Sequence, residues 1–186
     1  MKIDMKIYFE EYFKLFRDNA PKPMVEWGGY QKGEPTGMAS SYESCTAFYD
    51  YIQDKDCTIL DAGAGVSSWM FRKLFKNVTS TDPNKEYLDV VKNIVGGDNY
   101  IVGIENCPMC DYVYWDYGNW ERIPMMDIGF SKCKKAMYID DCHDKEVLEF
   151  AIKFANLNSC KLIETNSLDS FGRYGMILEK QYLNIK

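Results

Sequence analysis

At 186 residues the chain fits one domain, residues 1–186, that can bury a substantial core, and nothing in it requires a second. With 46% hydrophobic and 27% charged residues it reads as globular and soluble, and no apolar run approaches the roughly 20 residues that a membrane span needs. The net charge of −6, with no basic cluster beyond Lys132, Lys134 and Lys135, argues against a nucleic-acid surface and for a small or uncharged substrate.

The N-terminal stretch MKIDMKIYFEEYFKLF mixes acids into its apolar positions and lacks a small-residue cleavage site, so it does not read as a signal peptide and a cytoplasmic protein is expected. Residues 3–16 place Ile3, Ile7, Tyr8, Tyr12, Leu15 and Phe16 near helical spacing, which predicts an amphipathic helix. Residues 19–40 are rich in Pro and Gly and contain Trp27, Tyr30 and the segment TGMASS; a loop of this length in a compact domain suits a binding lid. Residues 1–40 are thus expected to form a helix and a lid-like loop ahead of a core of residues 41–186. Helical spacing returns over 41–53, with Ser40 or Ser41 as N-cap.

Residues 57–82, CTILDAGAGVSSWMFRKLFKNVTSTD, organise the rest. An apolar run of strand length, 57–61, is broken by Gly63 and Gly65, and 66–75 carries apolar residues at helical spacing. A second run, 78–81, ends on Asp82, so the unit closes as βαβ with an acid at the tip of its second strand. The glycines let the backbone turn tightly and approach a ligand, and an acid at that tip can accept hydrogen bonds from both hydroxyls of a ribose. Ser68 stands where a dinucleotide enzyme would carry its third glycine, and Asp61 would repel a pyrophosphate but attract an amine or a sulfonium. The bland alternative is that Asp61 is a turn residue and the glycines only punctuate the chain. A nicotinamide oxidoreductase is a further alternative and predicts tight NAD(P) binding instead.

Further on, 84–95 reads as a helix stopped by Gly96 and Gly97, and 99–104 as a strand. The connection 105–111 is too short for a crossover helix and reads as a turn or a single helical turn. Residues 112–116 are a strand, 124–132 a short helix, 136–140 a strand, 144–155 a helix capped by Asp144, and 160–164 and 174–179 two strands joined as a hairpin.

Ile59, Leu60, Asp61, Ala62, Gly63, Ala64 and Gly65 match hhDhGxG, and with Asp82 the segment resembles motif I and the ribose-binding acid of the class I S-adenosylmethionine (SAM) methyltransferases. The resemblance implies a Rossmann-like α/β three-layer sandwich around a seven-stranded, mostly parallel sheet, order 3-2-1-4-5-7-6, with an antiparallel last strand. It implies SAM as cofactor, held by Asp61, Gly63, Ala64, Gly65, Ser67, Asp82, Pro83 and Asp116. The activity it implies is methyl transfer to an oxygen or nitrogen of a small molecule. The rival reading is a protein that keeps the nucleoside site, has lost catalysis and works through a partner.

Methyl transfer needs alignment of the acceptor and removal of its proton, so the candidates lie at the strand tips. Asp116, Asp140, Asp141 and His143 are the candidate catalytic groups; His143, the one histidine of the chain, could equally cap a helix. Asp116, Asp140 and Asp141 could instead converge on Mg²⁺ or Ca²⁺, an arrangement similar to that of catechol-type O-methyltransferases, or simply face solvent. Here Asp-Asp replaces the Asp-Asn of those enzymes. Trp27, Tyr30, Tyr117 and Trp120 could wall a planar acceptor or pack in the core, and Arg122 could clamp an anionic group or pair with an acid. Asp116-Tyr117-Gly118-Asn119 departs from the (D/N)PP(Y/F) motif of nucleic-acid adenine methyltransferases. The cysteines number seven, without a secretory signal, and read as thiols, although Cys107 and Cys110 in a CxxC could be half of a zinc site.

Overall fold

The computed structural model describes residues 5–22, 30–31, 34–35, 39–118 and 120–181. Seven strands form one sheet: β1 (Thr58–Ala62), β2 (Asn77–Asp82), β3 (Tyr100–Val102), β4 (Cys110–Trp115), β5 (Cys133–Ile139), β6 (Cys160–Glu164) and β7 (Met176–Lys180). Their spatial order is β3–β2–β1–β4–β5–β7–β6. Neighbours from β3 to β5 pair in parallel, and β7 runs antiparallel to both β5 and β6. The helices are α1 (Met5–Asn19), α2 (Tyr42–Tyr51), α3 (Val66–Leu74), α4 (Lys85–Val95), α5 (Met126–Ser131) and α6 (Lys145–Leu157). A two-stranded ribbon pairs Tyr30–Gln31 with Glu34–Pro35. No helix among the described residues is long and apolar enough to cross a membrane.

Side-chain alternation along the strands sorts the core into two layers. Ile59, Tyr114, Tyr138 and Ile177 join Phe48 of α2, Phe71 of α3, Leu88 of α4 and Tyr12 and Phe16 of α1. Leu60, Val113, Met137 and Leu178 face the other way, onto Met126 of α5 and Val147, Ala151 and Phe154 of α6. The central strands are covered on both faces, which is why they read as apolar runs rather than as alternating ones.

Local chemistry fixes the element ends. Ser41 caps α2 by accepting from Ser44 N at 3.0 Å, Asn84 caps α4 by accepting from Tyr87 N at 3.1 Å, and Asp144 caps α6 by accepting from Glu146 N at 2.8 Å. β3 stops earlier than expected because Gly103 turns at φ +81°, and the link to β4 is one 3₁₀ turn, Ile104–Asn106. β5 begins at Cys133, three residues ahead of the expected 136, in register with Cys110 at the start of β4. All seven cysteines are free thiols, and burial raises the pKa of Cys107 and pushes that of Cys110 up to about 11.

Candidate functional site

A cavity of about 310 Å³ opens at the carboxyl ends of β1, β2 and β4, where open α/β sheets bind ligands. Four stretches line it: the turn from Gly63 to Val66; Asp82, Pro83 and Asn84 with Tyr87 of α4; Asp116, Gly118 and Trp120 to Arg122 after β4; and Ala39 with Ser40 ahead of α2. Gly63, at φ +101°, makes a turn that L side chains rarely adopt, and the amides of Gly63 and Ala64 donate to Thr81 O at 2.9 and 3.1 Å. Those two donors hold the glycine turn against β2 and are therefore not available to a ligand.

Asp61 does not face the cavity. Its carboxylate is fully buried and accepts hydroxyls from Ser67 at 2.7 Å, from Ser80 at 2.9 Å and from Ser68. Burial raises its pKa and the three hydroxyls oppose the rise. Ser68 in turn accepts from Gly65 N at 3.1 Å, so this acid ties β1, β2 and the first turn of α3 together beneath the glycines. Ser67 is equally buried, and its hydroxyl faces Asp61 and, at 3.5 Å, Gly63 O.

Asp82 does line the cavity. One oxygen, Oδ1, accepts from Asn84 N at 2.8 Å, and among the described residues Oδ2 has no protein partner. Burial pushes its pKa up to about 7 against the Asn84 amide, so a ligand that donates two hydroxyls here meets an acceptor that ionises near neutrality.

After β4 the acids converge on a guanidinium. Arg122 bridges Asp116 and Asp141, with Nη2 donating to Asp116 Oδ1 and Nη1 to Asp141 Oδ2, all three side chains largely buried. Ser40 Oγ donates to the other oxygen of Asp116 at 2.7 Å. Asp140 is engaged by Ser44 Oγ at 2.9 Å, Tyr114 OH at 3.1 Å and Asp141 N at 3.0 Å. Burial, with Asp140 and Asp141 nearby, holds Asp116 above the usual carboxylate range despite Arg122.

The alternative of a Mg²⁺ site is not supported. A cation already stands between Asp116 and Asp141 and the oxygens of Asp140 point to other partners, so the acids do not form an open oxygen cage. Among the described residues no group of three or more His, Cys, Asp and Glu side chains could hold a metal ion.

Of the residues expected to bind cofactor or acceptor, Gly63, Ala64, Gly65, Asp82, Pro83, Asp116, Trp120 and Arg122 share this cavity. Trp120 is 89% exposed at its edge. Asp140, Asp141 and His143 stand behind Arg122; His143 Nδ1 lies 3.6 Å from Asp141 Oδ1. Tyr117 points into the core, its ring stacked on Trp115 and its hydroxyl accepting from Ile104 N at 3.1 Å, so it is no acceptor wall. Trp27 and most of the lid-like loop lie outside the described residues, and Tyr30 is described only as backbone. Ser40, Tyr87 and Asn84 are additions; the TGMASS segment that contains Ser40 was the sequence signal for the first.

No protein-family model matches the sequence, and no curated protein does. Solved structures match in fold. An O-methyltransferase from Bacillus cereus in complex with SAH (S-adenosylhomocysteine) is similar with a TM-score of 0.55 at 12% identity, over 95% of this chain and 100% of that one. A precorrin-6y C5,15-methyltransferase from Geobacter metallireducens gives 0.54 at 16% identity, over 75% and 87%. An rRNA methylase from Streptococcus thermophilus gives 0.51 at 18% identity, over 75% and 95%. The fold is that of the class I SAM-dependent methyltransferases.

Proposed function

We propose that the protein is a SAM-dependent methyltransferase acting on an oxygen or nitrogen of a small molecule. The observation that carries this reading is that the glycine turn after β1, Asp82 after β2 and Asp116 after β4 line one cavity. These residues fit the cofactor: among the described residues Asp82 Oδ2 has no protein partner and can accept ribose hydroxyls, and Gly63 and Gly65 leave backbone without side-chain bulk beside it. When bound, SAM supplies an activated methyl group, so the protein has only to orient the acceptor and take its proton.

Asp116 is the group for that proton. It is largely buried, lines the cavity, and has a raised pKa, which makes its carboxylate a stronger base than an exposed one. Arg122, Ser40 and Asp141 position it. His143, outside the cavity, is not needed for this step. A small-molecule acceptor suits a cavity whose carboxylates, Asp82, Asp116 and Glu121, outnumber its one guanidinium, because a phosphate backbone would be repelled.

One observation favours the alternative, a nucleoside-binding protein without turnover: both oxygens of Asp116 are already engaged, by Ser40 and Arg122. Incubating the purified protein with methyl-labelled SAM and either a metabolite extract or total RNA separates the readings. Label in extractable small molecules is expected. Label in RNA alone would overturn the acceptor class, and S-adenosylhomocysteine binding without any transfer would favour the binding protein.

A further inference from the structure

We infer that a second cavity, separated from the first by residues 39–41, is the seat of the methyl acceptor and takes an uncharged aromatic ring, a phenol or an arylamine. The acceptor role rests on the methyl-transfer reading above; the aromatic site does not.

The second cavity, of about 360 Å³, lies between α1, the start of α2 and the loop that joins β6 to β7. Aromatic rings stand on each of these elements. Phe9 of α1 and Tyr42 of α2 meet edge to face, ring centroids 6.4 Å apart. Phe171 of the loop is 60% exposed, with the Arg173 guanidinium 5.5 Å from its ring centroid. An exposed phenylalanine beside an aromatic-lined cavity is unfavourable in water and gains from a ring that covers it.

The charges that line the cavity cancel. Lys6 and Arg173 are matched by Glu43 and Asp169, and Arg173 is committed to Asp169, with Nε and Nη2 each 2.8 Å from Oδ2. A charged ligand would gain no net attraction here and would lose hydration, so the cavity selects a neutral one.

The partition joins the two cavities chemically. Ala39 lines both, Ser41 lines the second, and Ser40 lines the first with its hydroxyl on Asp116. Arg173 Nη1 donates to Ala39 O at 2.8 Å and fixes the strap from the far side. A ring held among Phe9, Tyr42 and Phe171 presents a hydroxyl or amino substituent past Ser40 toward Asp116. The acceptor's oxygen or nitrogen then bonds to the methyl carbon as the methyl–sulfur bond breaks, the electron pair of that bond stays on sulfur, and the acceptor's proton passes to Asp116.

The test uses the full chain and p-cresol as probe, with cyclohexanol as the non-aromatic control, titrated by saturation-transfer NMR. S-adenosylhomocysteine affinity is measured separately by calorimetry. Phe171→Ala removes an exposed ring, and Ser170→Trp, at an exposed lining position, fills the cavity without touching the core. The inference expects p-cresol to bind in preference to cyclohexanol, and both substitutions to weaken it roughly fivefold or more. S-adenosylhomocysteine affinity should stay within about twofold in both variants, because the sites are distinct. Absent p-cresol binding, binding equal in wild type and both variants, or displacement of p-cresol by S-adenosylhomocysteine would each overturn it. If p-cresol binds with this dependence and S-adenosylhomocysteine does not bind at all, the aromatic site stands and the methyl-transfer reading fails.

Discussion

A Cβ placed on Gly63 would stand 2.0 Å from the carbonyl oxygen of Asp116. The turn after β1 and the chain leaving β4 therefore touch through a position that admits no side chain, and that contact sets the distance between the glycine turn and Asp116. Gly63→Ala should cost about 3 kcal/mol of stability, since it adds overpacking to a φ of +101°. Urea unfolding checks the magnitude. A variant as stable as wild type would show that the two loops are not in contact.

Asp61 and Asp82 should separate stability from binding. Asp61→Ala leaves the hydroxyls of Ser67, Ser68 and Ser80 without their shared acceptor in a fully buried place, so unfolding free energy should fall by about 2 to 4 kcal/mol. Asp82→Ala removes an acceptor whose one partner among the described residues is Asn84 N, and should change stability little. Thermal and denaturant unfolding of both variants checks this order. The reverse order would mean that Asp61, not Asp82, faces the ligand.

Cofactor binding should depend on pH through Asp82. Burial sets its pKa at about 7, and ribose hydroxyls donate to the carboxylate, not to the acid. Affinity for S-adenosylhomocysteine should therefore rise between pH 6 and 8, with proton release on binding below pH 7, and Asp82→Asn should flatten the profile. The sign for the free protein is opposite. A folded pKa above the unfolded value of about 3.9 gives stability that is present at low pH and lost as pH rises through 7. Calorimetry at three pH values in two buffers reads both the affinity and the proton count.

Arg122 should behave as a built-in cation. Arg122→Ala leaves Asp116 and Asp141 facing each other with no counter-charge and should cost about 3 kcal/mol. In the wild type neither EDTA nor Mg²⁺ should shift Tm, because the guanidinium fills the space between the acids. A Tm that rises with Mg²⁺ in the wild type would restore the metal reading.

That the glycine turn, Asp82 and Pro83 meet at one cavity was legible in the sequence because it is local: all of them follow from one βαβ unit. The rest of the cavity was not, because at a strand tip a side chain's direction depends on alternation and on what packs there. Tyr117 continues the face of Trp115 and enters the core, and Asp140 continues the face of Tyr138 and meets Ser44 of α2. The role of Ser40 depends on a hydrogen bond to a residue far along the chain, Asp116, which no spacing rule reveals. Arg122 was foreseen either as a clamp or as an ion-pair partner, and only the folded chain, by bringing Asp116 and Asp141 to it, decides for the pair. The strand order, in contrast, agrees throughout with the order that the motif's resemblance implied.

The cavity at the ends of β1, β2 and β4 is proposed to take an S-adenosyl nucleoside through Asp82, and calorimetric titration with S-adenosylhomocysteine is the decisive experiment. One site per chain, no comparable heat with NAD, and a loss of about 2 to 3 kcal/mol of binding free energy in Asp82→Ala are expected. Equal affinity in wild type and Asp82→Ala, or binding of NAD in place of S-adenosylhomocysteine, would contradict it.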